Sequence, residues 1–177
     1  MHAAKLTKNC IWQEYIFQLY LLRNISSFSV RYTTEVIINL SRIRVIELFD
    51  SVSDLERWQP GLKSHRVISG VAGREGCRTE LVYEARNGDL VMTETVTKRN
   101  FPDEYHTLYE SRGVTNQMFN HFSEPEAGRT RWQTVNVFRF RGLMALMAPL
   151  MKTAFRKNTL LNMERFKSYA ESSTNHL

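Results

Sequence analysis

Gly76–Asn100 reads GCRTELVYEARNGDLVMTETVTKRN. Asn87-Gly88 at its centre is a strong hairpin signal, because both residues accept positive φ, and alternation on either side predicts two antiparallel strands. With Asn87 and Gly88 as the loop, Arg86 faces Asp89, Ala85 faces Leu90, Tyr83 faces Met92, Leu81 faces Glu94 and Thr79 faces Val96. Arg78, Glu80, Glu84 and Arg86 cannot all be buried, so their side is solvent. The inward set is then Thr79, Leu81, Tyr83, Ala85, Leu90, Met92, Glu94 and Val96. Glu94 is the odd member: a carboxylate among apolar neighbours is expected to have a raised pKa or to meet a donor.

Downstream the same period continues. Glu104–Arg112, Val114–Ser123 and Arg129–Phe140 read as strands separated by Gly113 and by the Glu124–Gly128 turn, with Pro102-Asp103 turning the chain before them. Arg129, Arg131 and Arg139 place Trp132, Thr134, Asn136, Phe138 and Phe140 inward. Glu104, His106 and Glu110 likewise leave Tyr105, Thr107, Tyr109 and Ser111 inside. Charges do not mark a side on Val114–Ser123, where Met118 and Phe122 favour Val114, Asn116, Met118, Asn120 and Phe122. After Gly142 the period returns to 3.6 and holds to about Ser172. Pro149 predicts a kink or a short lead-in helix, after which Met151, Ala154, Phe155, Asn158, Asn162, Phe166 and Tyr169 share a face. Upstream, Ser29–Leu40 alternates as a long first strand, Ser41 is positioned to cap a short helix, and a second short helix, Asp54–Trp58, stops at Pro60. Ser64–Val71 completes a set of seven strands. The order predicts an α+β fold: a seven-stranded curved antiparallel sheet around a long C-terminal helix, with two short helices after the first strand.

The 177 residues suit one domain with room for an additional segment. Cys10 and Cys77 are the two cysteines, far apart and without metal-ligand spacing, so neither a disulfide framework nor a zinc site is expected and a reducing, cytoplasmic setting is. The net charge of +6 comes from basic residues interspersed with acidic ones, as in Arg78-Thr79-Glu80, which argues against nucleic-acid binding. Residues 1–28 stand apart. Ile11, Trp12, Tyr15, Ile16, Leu19 and Leu22 fall on one side of a helix, while Gln13, Glu14 and Gln18 break any continuous apolar run. Three readings stay open: a helix on the domain's exterior, a peripheral membrane contact through residues 10–23, or an extension upstream of the true start.

Leu48-Phe49-Asp50 through Trp58-Gln59-Pro60, Gly76 opening a strand, and the Phe155–Tyr169 helix together resemble the START-like helix-grip superfamily, the polyketide cyclase/dehydrase and lipid transport type (SRPBCC). The resemblance covers residues 29–172 as a single ligand-binding domain, with 173–177 as a tail, and implies a hydrophobic cavity in a superfamily of carriers, ligand sensors and enzymes. It transfers no catalytic residue. The register places Leu81, Tyr83, Met92, Glu94, Tyr105, Tyr109, Asn116, Met118, Asn120, Trp132, Asn136 and Phe138 on the cavity side of the sheet, and Met151, Phe155, Asn158 and Asn162 opposite them on the helix. Such a wall suits a hydrophobic or amphipathic small molecule, such as a lipid, isoprenoid or polyketide-like compound, oriented by a few hydrogen bonds, with no cofactor and no metal. The alternatives are a cyclase- or dehydratase-type enzyme with Glu94 as acid or base beside a tyrosine, and an interaction module with a vestigial cavity. The sequence leaves monomer and homodimer equally open. Because residues 1–28 have no counterpart in the helix-grip pattern, their deletion is expected to leave a domain that still unfolds in one cooperative thermal transition.

Overall fold

The computed structural model describes residues 28–85 and 88–173. The readings made on residues 1–27, on Arg86 and Asn87, and on 174–177 lie outside the described residues.

Strand β1 (Phe28–Ile38) buries Val30, Tyr32, Thr34, Val36 and Ile38, the face that its alternation predicts. It starts one residue earlier than expected. Phe28 pairs with Phe140 and packs against a buried cluster. Helix α1 (Arg42–Phe49) is capped by Ser41, whose hydroxyl accepts from the Arg44 N–H at 3.4 Å. A single 3₁₀ turn, Val52–Asp54, leads into α2 (Leu55–Trp58), which ends just before Pro60. Six strands follow: β2 (Leu62–Ser69), β3 (Arg78–Ala85), β4 (Gly88–Asn100), β5 (Glu104–Ser111), β6 (Val114–Glu126) and β7 (Arg129–Phe140). The chain ends on helix α3 (Leu143–Ser172).

The sheet order is β1-β7-β6-β5-β4-β3-β2, every neighbour antiparallel. Helices α1 and α2 carry the chain from the β1 edge to the β2 edge, and the five tight connections then bring it back beside β1.

The β3–β4 register differs from the expected one. Ala85 pairs with Gly88, Tyr83 with Leu90, Leu81 with Met92 and Thr79 with Glu94, so each β3 residue meets a β4 residue two positions earlier than the Asn-Gly rule implies. Arg86 and Asn87, not Asn87 and Gly88, lie between the paired strands. The displacement is an even number of residues, and side chains alternate with period two, so sidedness is unchanged and Glu94 stays on the concave face. Strand β6 also runs past Ser123 to Glu126 across an irregularity, where a separate turn was expected from Glu124.

Helix α3 runs as one element through Pro149, its seventh residue, so of the two expectations for this proline no separate lead-in helix forms. Pro149 itself is exposed. The buried stripe also differs from the predicted face. Ala145, Ala148, Met163, Phe166 and Ala170 are buried, whereas Ala154, Asn158 and Asn162 are exposed.

The core has two parts, one toward each end of α3. Near the C-terminal end, Phe166 packs against Phe49, Trp58 and Trp132 with ring centroids 5.1–5.7 Å apart. Phe49 also meets Phe101, Tyr105 and Phe122, so the last residue of α1 is an aromatic hub. Near the N-terminal end, Ala145 and Ala148 let the helix approach Val30, Tyr32 and Phe140 closely. Phe166→Ala removes a fully buried ring from the larger cluster and is expected to cost about 3–5 kcal/mol in a urea unfolding titration, against roughly 0.5 kcal/mol or less for the exposed Lys157→Ala.

Candidate functional site

Helix α3 stays in contact with β1 and β7 through Thr159 and Phe155 and stands off the strands that curve away beyond them. The space enclosed there by the concave face, by α1 and α2 and by the middle of α3 is a cavity of about 700 Å³. Strand alternation supplies its wall: Leu81 and Tyr83 from β3, Met92 and Glu94 from β4, Tyr105 and Tyr109 from β5, Asn116, Met118 and Asn120 from β6, Trp132 and Phe138 from β7. Met151, Phe155, Asn158 and Asn162 close it from α3, the two asparagines at a solvent-exposed rim.

Asn136 is the expected site residue that is not in this wall. It is fully buried, accepts from Asn116 Nδ2 at 2.8 Å and donates to Thr134 Oγ1 at 3.5 Å, so it positions Asn116 from within the packed layer. Asn120 does reach the wall, but its amide is already committed: Oδ1 accepts from Trp132 Nε1 at 2.9 Å and Nδ2 donates to the Tyr105 carbonyl at 3.0 Å. Polar groups with capacity to spare include Glu94, the tyrosine hydroxyls and Asn116, whose Oδ1 has no hydrogen-bond partner among the described residues.

Thr79 and Val96, in the inward set of the hairpin, also line the wall, and further wall residues lie outside the sequence-derived set. Gln59, just before Pro60, accepts a short hydrogen bond from the Tyr83 hydroxyl, and Thr159 shares one of 3.0 Å with Tyr32. No periodicity marks Gln59, because it lies between a helix and a strand.

Glu94 sits between Thr79 on β3 and Tyr109 on β5, its directly opposed neighbours. What surface the residue exposes faces the cavity. Burial raises its pKa above the ordinary carboxylate value, and hydrogen bonding from Tyr109 opposes that shift. Burial and the negative charge of Glu94 together push Tyr83, Tyr105 and Tyr109 upward, so all three hydroxyls keep their protons at neutral pH. The centre is therefore a carboxyl among phenolic donors, on a wall otherwise mainly aliphatic and aromatic.

The rim is tied by Arg99. Its guanidinium meets both Asp50 oxygens at 2.6 Å, donates to the Gly73 carbonyl at 3.0 Å and lies 4.4 Å from the Phe101 ring centroid. Asp50 precedes the 3₁₀ turn and Gly73 belongs to the β2–β3 loop, and both border the cavity. One side chain thus clasps two loops that border the cavity.

A family model described as polyketide cyclase/dehydrase and lipid transport matches residues 29–171. The chain belongs to this family. Comparison with curated proteins finds no match. Among solved structures, the polyketide cyclase/dehydrase and lipid transport fold seen here is similar to that of a protein of unknown function from Staphylococcus aureus, at TM-score 0.67 and 17% identity over 86% of this chain and all of that one. An aromatase/cyclase from a Streptomyces species matches at TM-score 0.67 and 14% identity, covering 81% of this chain and 94% of that one. Norcoclaurine synthase from Thalictrum flavum, in complex with dopamine and hydroxybenzaldehyde, matches at TM-score 0.64 and 12% identity, covering 86% and 91%. At these identities the likeness is one of fold. No helix among the described residues is long and apolar enough to cross a membrane.

The raised pKa of Glu94 has a thermodynamic consequence. A carboxyl whose pKa is higher in the folded than in the unfolded chain binds more protons when folded, between the two values, so stability falls as pH rises through that window. Urea unfolding of this family member from about pH 4.5 upward is expected to show that decline, and Glu94→Gln, which has no proton to lose, is expected to flatten it.

Proposed function

We propose that the protein binds a hydrophobic or amphipathic small molecule, of lipid, isoprenoid or polyketide-like type, in the cavity between sheet and C-terminal helix. The observation that carries this reading is the pairing of an apolar space of about 700 Å³ with one buried carboxyl, Glu94, set among Tyr83, Tyr105 and Tyr109. An apolar body gains about 25 cal/mol per Å² of surface removed from water, which supplies affinity without direction. Direction comes from the polar centre: protonated, Glu94 donates to a carbonyl or ether oxygen, and ionised, it accepts from a hydroxyl or an amine. Membership of a family described by both cyclase/dehydrase and lipid transport activities agrees with a site for such molecules.

A second reading is favoured by the same contact between Glu94 and Tyr109. A carboxyl with a raised pKa beside a phenol is suited to move a proton to or from carbon or oxygen while the phenol stabilises a developing enolate, the chemistry of a cyclase or dehydratase. Native mass spectrometry of the purified protein is expected to show a retained small molecule whose mass names the compound class; a chain that stays ligand-free against a panel of lipids, isoprenoids and aromatic polyketides would overturn the proposal. With a ligand in hand, Glu94→Gln separates the two readings. For a binder, affinity changes by about 1–3 kcal/mol, the range for one hydrogen bond to a charged group. For an enzyme, turnover is lost while binding is largely retained.

A further inference from the structure

The convex face of the sheet carries a second group of chemically capable side chains. His106 and His121 are fifteen residues apart in sequence and belong to different strands, so their spacing suggests no shared role. Pairing of β5 with β6 brings them together. Glu104 lies directly opposite His121, and His106 lies diagonally from it, two residues along β5 on the same outward side. The two imidazole rings are 5.3 Å apart between centroids and meet edge to face. His121 Nδ1 is 3.3 Å from Glu104 Oε1, and one ligand atom from each of Glu104, His106 and His121 lies within 4.8 Å of the others.

We propose that Glu104, His106 and His121 form a binding site for a zinc-type divalent transition-metal ion on the face of the sheet opposite the cavity. Two imidazoles and a carboxylate are a donor set that suits Zn²⁺. The 3.3 Å between His121 Nδ1 and Glu104 Oε1 equals the edge of a tetrahedron whose metal–ligand bonds are about 2.0 Å long. His106 reaches the third corner by a side-chain movement on the order of the 1–2 Å by which 4.8 Å exceeds that edge. The fourth corner opens to solvent, since all three residues are half-exposed. One further observation favours a ligand here: Nδ1 of His106 is enclosed by protein without a well-formed hydrogen bond, so that ring nitrogen is not fully used by the fold. Phe119 packs edge-on against the His106 ring at 5.2 Å.

Lys98 on β4 provides an internal competitor. Its ammonium pairs closely with Glu104 and occupies the charge that a metal would use. Metal uptake must displace it, and this gives the site a signature that an unspecific cluster lacks. Zn²⁺ titration of the metal-stripped full chain by calorimetry is expected to give one ion per chain with micromolar affinity. Co²⁺ in its place is expected to give the intense visible bands of four-coordinate geometry. His106→Asn and His121→Asn should each weaken binding at least tenfold, whereas Lys98→Met should tighten it several-fold. Unchanged thermal unfolding of each variant without metal confirms that the fold is intact. Zn²⁺ binding undiminished in both histidine variants, weak octahedral Co²⁺ bands, or no heat up to millimolar Zn²⁺ would each overturn the proposal.

Discussion

The fold depends on how α3 is held. Two small residues, Ala145 and Ala148, bring its first turns onto the β1 and β7 end of the sheet, and one large residue, Phe166, locks its last turns into the aromatic cluster centred on Phe49. A helix held along β1 and β7, at one side of a curved sheet, cannot also follow the strands that curve away from it. The gap is therefore a geometric result of the packing, and the residues facing it need not fill it. Met151, on the span between the anchors, contributes wall, whereas Phe155 contributes both wall and core, its ring stacked on Phe138 with centroids 4.8 Å apart. Close packing and cavity wall are thus divided along one helix.

Placing Glu94 in that centre works against folding, because a buried carboxylate loses its hydration and recovers only part of it from Tyr109. The neighbouring rings have the opposite character: Tyr83 is held by Gln59, and its side chain together with those of Tyr105 and Tyr109 contributes large apolar surface as well as a hydroxyl. The aromatic bodies stabilise the wall, and the polar atoms concentrate at one place in it. Any hydrogen bond given to this carboxyl offsets part of its lost hydration.

Most of the architecture was legible because alternation along each strand is a local property. Trp132, Thr134 and Phe140 face inward as Arg129, Arg131 and Arg139 on the same strand require. The hairpin register was not legible, since the Asn87-Gly88 signal names the usual loop residues while the strands pair as far as Ala85 and Gly88. Glu94 kept its side only because the displacement was even. Asn136 shows a different limit: alternation tells which face a residue takes but not whether the space in front of it is filled. On α3 the predicted face drifted onto Ala154, because the 3.6-residue period allows neighbouring stripes and a helix lying over a cavity has few contacts to choose between them. The His106–His121 encounter had no sequence signature at all, being a product of which strands pair.

The Arg99 clasp bears on the order of the cavity's border rather than on its polar centre. It joins the Asp50 and Gly73 loops without touching Glu94, so the placement of two separate loops depends on one bidentate pair. Because the Asp50 side of the pair is solvent-exposed, dissolved salt weakens the clasp. This stretch of the border is thereby set in part by the medium outside it, while the aromatic and aliphatic wall within is not.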